Sequence, residues 1–387
     1  MKITADAKVL EDIVSTAAQA ISSRPINAES ECVYVSVDSS NGTPILTVQA
    51  SDAGLMIRKV TDNIKAMEDG IALIPAKTLL AFLKLMTDDV TVSVENEKCT
   101  LKNGGKKSTI ACLNTDDYNP DFADMTGAHM AKVQGKDFES MVDSTLHCIS
   151  TETGRMILTG INFAFDGVAG VCEASGLDGF RLANVRKPVE TNDTFSVTIP
   201  ANTAKLISKI IKDGEGVSFR FANGLVSIED YDTAIQASLL SGEYMEVKKL
   251  MFRDGKMQAR VNADELLKAV RMTMIAAQGN SKNLIVMDFA KDDVLTVKAQ
   301  SDNIDAVYGL SCDVNGGMQT PGNVNYNGNT SEIAFDGRYV EDALKAAMNY
   351  AGEVTMLLNT PVSPMAIIPV GTDEYYQLVL PVRRFNS

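Results

Sequence analysis

The stretch IALIPAKTLLAFLKLM (71–86) runs a short apolar strand into a proline and then into a helix-like pattern. Proline is tolerated at a helix start because its missing N–H would have no partner in the helix anyway. The same arrangement recurs as FSVTIPANTAKLISKI (195–210), with Pro200 in the place of Pro75 at a spacing of 125 residues. It recurs again as SEIAFDGRYVEDALKA (331–346), with Asp336 where proline would stand and a spacing of 136. The Gly/Asn-rich loop DVNGGMQTPGNVNYNGNTS (313–331) absorbs the longer spacing.

Working outward, a second theme keeps the same count. Leu10, Ile13, Val14, Ala17 and Ile21 share one helical face; Phe138, Met141 and Val142 follow at a spacing of 128, and Leu266, Ala269 and Val270 at 128 more. A third theme is an alternating strand ending in a Ser/Asp corner: PILTVQASD (44–52), GVCEASGLD (170–178) and VLTVKAQSD (294–302). A period near 130 residues makes each copy domain-sized. Two helices cannot cover several amphipathic strands on both faces, so the fold class is α+β: three tandem similar domains, each with two helices on antiparallel sheets. The expected domains are 1–128, 129–252 and 253–387. Their junctions fall in NTDDYNPDFADMTGAHMA (114–131) and SGEYMEVKKLMFRDGK (241–256).

The 387 residues are 45% hydrophobic and 22% charged, as in a globular protein. No apolar run approaches 18 residues and the N-terminus lacks an apolar core, so neither a membrane span nor a signal peptide is expected, and the location is expected to be cytoplasmic. Cys32, Cys99, Cys112, Cys148, Cys172 and Cys312 stand singly, with no CxxC and no nearby His, and read as reduced core residues.

A net charge of −14 argues against nucleic acid when taken alone. Charge placement argues otherwise. Aligning the three second helices carries Lys84 to Lys209 and Lys345, and Lys77 to Asn202 and Arg338. Lys205, Lys209 and Lys212 form a stripe opposite Leu206, Ile207 and Ile210. The first helices add Lys136, Lys268 and Arg271, diluted by neighbouring carboxylates. Spaced lysines without interleaved aromatics suit phosphates, not base edges, and so sequence-independent duplex binding.

His129 and His147 sit in no metal-binding spacing, and no GxxxxGK[ST], GxGxxG or GxSxG is present. Asp178 and Asp302 at strand ends read as turn residues. No catalytic residue, metal or cofactor is expected. The rival readings are an enzyme of repeated α+β domains, which would need an acid/base cluster, and an interaction scaffold that never touches DNA.

The chain resembles the bacterial DNA polymerase III β sliding clamp family. The resemblance rests on SRP (23–25), LIPAK (73–77), LTGINFAFDG (158–167), LDGFRLA (177–183), SGEY (241–244) and the ending YYQLVLPVRRF. It implies a head-to-tail homodimeric ring of six domains around duplex DNA, with Arg24 and Lys77 near the DNA. It also implies partners that dock by short linear peptides: polymerase III and other polymerases, the clamp loader and repair proteins. Their pocket, carried over residue by residue, takes Leu158 and Gly160, then Leu177, Gly179, Phe180, Arg181 and Leu182. Met245, Lys249 and Leu250 follow from the second junction. The third domain adds Pro364 and Met365, then Leu378, Leu380, Pro381, Val382 and Arg383. Leu177, Phe180 and Met245 stand where the family commonly has Thr, His and Pro, and the tail continues to Arg384 and Phe385. The matching corners SDAGLMI and SDNIDAV lack the arginine, which points to one pocket per chain.

Overall fold

Three times the chain writes nearly the same order of elements, the second repeat having one strand fewer between its helices. In the computed structural model the first repeat holds β1 (Lys2–Asp6), α1 (Ala7–Ala17), β2 (Cys32–Asp38), β3 (Ile45–Asp52), β4 (Leu55–Thr61), β5 (Lys65–Glu68), β6 (Gly70–Pro75), α2 (Ala76–Leu83), β7 (Asp89–Glu95), β8 (Lys98–Asn103) and β9 (Lys106–Ala111). The second holds β10 (His129–Val133), α3 (Gly135–Thr145), β11 (Gly160–Asp166), β12 (Val171–Leu177), β13 (Arg181–Pro188), β14 (Phe195–Pro200), α4 (Ala201–Ile210), β15 (Val217–Ala222), β16 (Leu225–Asp230) and β17 (Thr233–Ser238). The third holds β18 (Met257–Asn262), α5 (Ala263–Ala277), β19 (Leu284–Lys291), β20 (Val294–Gln300), β21 (Asp305–Ser311), β22 (Asp313–Gly316), β23 (Glu332–Asp336), α6 (Gly337–Ala347), β24 (Glu353–Leu358), β25 (Met365–Pro369) and β26 (Tyr375–Val379). The structure describes residues 1–22, 24, 27–52, 54–116, 118, 121–277, 283–291, 293–301, 303–321 and 329–383. Ser23 and Pro25 of the SRP motif, Asp302 of the third corner, and Arg384 and Phe385 of the tail lie outside the described residues.

Local chemistry fixes the helix starts. Asp6 caps α1 by accepting from the Lys8 amide at 2.8 Å, and Asp336 caps α6 by accepting from the Arg338 amide at 3.0 Å. Pro75, by contrast, occupies the N-cap of α2 without a side-chain bond to the first turn. The apolar face of α1 is buried at Leu10, Ile13, Val14 and Ala17, but Ile21 lies beyond the helix. A 3-10 turn at Ala18–Ala20 tightens the end. His147 and Cys148 likewise sit in a 3-10 turn at Leu146–Cys148 after α3.

Pairing is antiparallel throughout the named strands. In every repeat the strand before the first helix pairs with the one after the second: β1 with β7, β10 with β15, β18 with β24. The strand after the first helix pairs with the one before the second: β2 with β6, β11 with β14, β19 with β23. Each repeat therefore feeds two antiparallel sheets, as the α+β reading expects, and its helices are the crossings between them.

Two units result. The first comprises residues 1–136, 190–193 and 205–239, and contains a five-stranded sheet, β5-β1-β7-β8-β9, and an eight-stranded one, β10-β15-β16-β17-β4-β3-β2-β6. The second comprises residues 137–189, 194–204 and 240–387, with a nine-stranded sheet, β14-β11-β12-β13-β26-β25-β24-β18-β22, and a four-stranded one, β21-β20-β19-β23. The larger sheets are each spliced from two repeats, at β4·β17 and at β13·β26. All six cysteines are buried free thiols. No helix among the described residues is long and apolar enough to cross a membrane.

Polar groups stitch the β13·β26 splice. Gln377, fully buried, accepts at Oε1 from the Tyr375 hydroxyl at 2.6 Å and from His147 Nε2 at 2.9 Å, while its Nε2 donates to Cys148 Sγ at 3.3 Å. A carbonyl oxygen only accepts, so His147 carries its proton on Nε2. Tyr375 stacks on Tyr350 at 5.1 Å, and the Tyr350 hydroxyl bonds the Ser144 hydroxyl at 2.8 Å.

Burial, with Arg181 nearby, pushes the His147 pKa below its ordinary value. The unfolded chain therefore binds a proton more readily than the folded one, and this contribution is full above about pH 6.5 and lost as pH falls toward the folded value. Urea melts between pH 7.5 and 5 are expected to lose up to about 1.4 kcal/mol per pH unit from this residue, a slope that His147→Gln flattens. A second expectation concerns Gly176 on β12, where an added Cβ would lie 2.5 Å from the Thr145 carbonyl oxygen. Gly176→Ala is expected to cost about 1–3 kcal/mol of unfolding free energy in the same measurement.

Candidate functional site

The LDGFRLA segment is a tight turn between β12 and β13. Asp178 Oδ1 accepts from the amides of Phe180 at 2.8 Å and Arg181 at 2.9 Å, and Gly179 takes φ +90°, which its missing Cβ permits. From there alternation divides the strand. Leu182 lies opposite Leu378 and joins a buried cluster with Leu158, Leu177, Val247, Leu357, Ala366 and Tyr376. Arg181, one residue earlier, turns to α6. Its Nε meets Asp178 Oδ2 at 2.9 Å, its Nη1 meets Asp342 Oδ2 at 2.8 Å, and its guanidinium lies 4.3 Å over the Tyr339 ring. Burial opposes the charge, but the bonds to Asp178 and Asp342 outweigh it and raise the arginine's pKa. Phe180 stacks against the same tyrosine at 6.3 Å.

Above the leucine cluster lies a groove of about 610 Å³ lined by Arg155, Ile157, Leu158, Glu243, Tyr244, Met245, Glu246, Lys249 and Leu250. Its floor is the outer side of the leucine cluster, against which Ile157 and Tyr244 pack. Met245 is 45% and Leu250 40% exposed, so apolar side chains face solvent at the rim. Lys249 pairs with Glu246 at 2.6 Å. The Tyr244 hydroxyl donates to the Ser175 carbonyl at 3.4 Å, and burial pushes its pKa up. Burial likewise pushes Tyr376 up to about 12 while its hydroxyl donates to the Phe252 carbonyl at 3.2 Å.

Of the residues expected here, Leu158, Met245, Lys249 and Leu250 line the groove, and Leu177, Leu182 and Leu378 lie beneath it. Gly160 packs against β14, where a Cβ would lie 2.6 Å from the Ile199 carbonyl oxygen, so its part is backbone approach. Gly179, Phe180 and Arg181 are not among the lining residues: Phe180 and Arg181 both lie against Tyr339 of α6. Met365 is buried opposite Val379, and its neighbour Ala366 takes the place in the cluster. Pro364 and Pro381 are half-buried and Arg383 is exposed. The tail is strapped by the Leu380 amide to the Phe180 carbonyl at 2.8 Å and the Val382 amide to the Ala334 carbonyl at 2.7 Å. Sequence reading missed Arg155, Ile157, Glu243, Tyr244, Glu246, Val247, Leu357, Ala366 and Tyr376. Tyr376 was within reach, since it shares the alternation of Leu378.

The other splice lacks the leucines that lie under this groove. In β4·β17, Gln236 faces Met56, and Met56 faces Ser51 across β3·β4; in β13·β26, Leu378 faces Leu182, which faces Leu177. The same three positions are thus polar or flexible in one splice and leucine in the other. Gln236 accepts from the Ala123 amide at 2.8 Å and donates to its carbonyl at 3.0 Å, binding the first junction to the sheet.

The expected cations are exposed in all three repeats: Arg24, Lys77, Lys84, Lys136, Lys205, Lys209, Lys212, Lys268, Arg271, Arg338 and Lys345. Lys77, Lys84, Lys136, Lys205 and Lys209 make no ion pair among the described residues. The third repeat differs: Lys268 pairs with Asp264 at 2.6 Å, Arg271 and Lys345 with Glu341 at 2.9 and 2.8 Å, and Arg338 with Asp336 at 2.6 Å. Among the described residues no group of three or more His, Cys, Asp or Glu is placed to hold a metal ion.

Comparison with known proteins agrees with the triplication. The model of the DNA polymerase III beta subunit N-terminal domain matches residues 1–122, the central-domain model 132–246 and the C-terminal-domain model 248–383. The beta sliding clamp of Staphylococcus aureus (strain Mu50) is 24% identical over 360 residues, covering 91% of each chain. That of Halalkalibacterium halodurans is 22% identical over 330 residues, covering 84% of this chain and 83% of its own. The solved sliding clamp of Bacillus subtilis superposes with a TM-score of 0.89 at 20% identity, covering 100% of both chains. The beta subunit of Streptococcus pyogenes gives 0.88 at 18%, covering 99% of this chain and 100% of the other.

Proposed function

Because this chain belongs to the DNA polymerase III beta subunit family, we propose that two copies close head to tail into a cytoplasmic ring that encircles duplex DNA and tethers polymerase for processive synthesis. The family's members are non-catalytic processivity subunits that bind DNA, polymerase and other clients. In this reading the three domains run over 1–128, 129–252 and 253–387.

The observation that carries the reading is the splice rule. The third sheet strand of one repeat pairs with the last strand of the next, as β4·β17 and then β13·β26. The next member of the series would join β21 of the third repeat to a first-repeat β9, and both are edge strands among the described residues. A second copy supplies the missing strand, and two such joints close a ring. Exposed apolar side chains accompany the open β21 edge, with Ile275 of α5 61% and Val307 65% exposed. An open, partly apolar edge is otherwise an aggregation liability. The exposed lysines of the helix faces would meet phosphates without reading bases, loosely enough to slide. The groove at the β13·β26 splice takes an apolar client peptide, one per chain.

Two measurements test these parts separately. Transferring the register of β4·β17, in which Lys59 faces Thr233, sets Tyr308 opposite Lys106 of the partner subunit. A chain carrying Tyr308→Cys and Lys106→Cys is expected to form a disulfide-linked species of twice the mass on a non-reducing gel; a chain that stays monomeric by sedimentation counts against the ring. For the groove, Leu250→Asp is expected to weaken a fluorescent peptide copied from the cognate polymerase about tenfold or more, with the particle's mass unchanged. Unaltered peptide affinity would remove the groove from the function.

A further inference from the structure

The cationic helices are not equivalent. From Ala76 to Lys84 the chain reads AKTLLAFLK, and α4 reads ANTAKLISKI, four lysines in all and no carboxylate. The corresponding helix α6, GRYVEDALKAA, carries Arg338 and Lys345 together with Glu341 and Asp342. Glu341 Oε1 lies 2.9 Å from Arg271 Nε on α5 and 2.8 Å from Lys345 Nζ on α6, so one carboxylate serves a cation from each of two packed helices.

We propose that Glu341 silences Arg271 and Lys345 of the third repeat toward DNA, and that the duplex is held chiefly by the α2 and α4 helices. The proposal rests on the reading above that the cationic helix faces meet DNA, and it divides that site between repeats. A single exposed ion pair would yield readily to an incoming phosphate. Glu341 is different in two respects. Its side chain is 16% exposed against 51% for Arg271 and 47% for Lys345, so water screens it poorly, and breaking either pair leaves the other in place. Its own charge also opposes a phosphate approaching either cation. The bond from Lys345, with that from Arg271, holds the Glu341 carboxyl below its ordinary range despite burial, so the mask stays ionised at neutral pH. Of the other cations on α5 and α6, Arg338 pairs with Asp336, whose side chain is 10% exposed, whereas Lys268 and Asp264 form a single pair, 67% and 51% exposed, of the kind that yields to phosphate.

Counterion release counts only phosphates that the protein newly neutralises, at a slope of about 0.9 per phosphate in log affinity against log salt. This makes the proposal measurable by fluorescence anisotropy of a fluorescein-labelled 30-base-pair duplex with the full-length chain across potassium chloride concentrations. Glu341→Gln, which keeps shape and removes charge, is expected to tighten binding at low salt at least fivefold and to steepen the slope by about 2 as Arg271 and Lys345 become available. Lys84→Ala with Lys209→Ala is expected to weaken binding several-fold more than Arg271→Ala with Lys345→Ala. An unchanged slope in a folded Glu341→Gln chain, or equal losses in the two double variants, overturns the proposal. Should Glu341→Gln melt at the assay temperature, the comparison of double variants decides. If the Lys84 and Lys209 substitutions leave duplex affinity unchanged, the DNA-facing assignment of the helices has failed instead.

Discussion

Backbone hydrogen bonding at strand edges is the constraint on which this molecule is built. Every repeat makes more strand than it can pair within itself, because its helices carry the chain from one sheet to another and leave a third strand and a last strand at the margins. An unpaired edge is costly and sticky. The β4·β17 and β13·β26 ladders satisfy it by splicing neighbouring repeats into continuous sheets. Those splices set the register of everything near them, from the Gln236 amide that binds the first junction to the leucines under the groove.

One strand pair serves two purposes because its side chains alternate. On β13 and β26, Leu182 and Leu378 face the groove, while Arg181 and Gln377 turn to α6 and to the turn after α3. The leucine side gains by excluding water from apolar area. The other side is a polar lattice of Arg181, Asp178, Asp342, His147, Gln377 and Tyr375, whose groups are satisfied by one another, and no buried side-chain polar atom among the described residues lacks a partner. Such networks specify a single packing because half-made versions of them are expensive. The groove floor is therefore held in register from behind.

Much of this was legible in the residues. The threefold period, the helix faces through Leu10, Ile13 and Val14, and the strand corners were readable because burial imposes periods of 3.6 and 2 on any amphipathic element. The asymmetry at Leu177 and Leu182 was legible as well, since Ser51 and Met56 occupy the same positions one repeat earlier. Arg181 was not. Its sequence neighbours all belong to the groove's segment, and only pairing parity decides that it points the opposite way. The same parity substitutes Ala366 for Met365. Arg155, Ile157 and Glu243 went unread because a groove wall made of irregular chain has no period to reveal it.

The sequence by itself determined the number of repeats, the kind of element in each and the placing of cations on the second helices, because these follow from local patterns of side chains. Tertiary structure alone decided which edges are spliced, which face of β13 each residue occupies, and which cations are neutralised. Glu341 shows the physical reason: in the chain it is one acidic residue four positions before Lys345, and only the packing of α5 on α6 brings Arg271 to the same oxygen. Long-range pairing of that kind is a property of distances in space, which the spacing of residues along a chain does not contain.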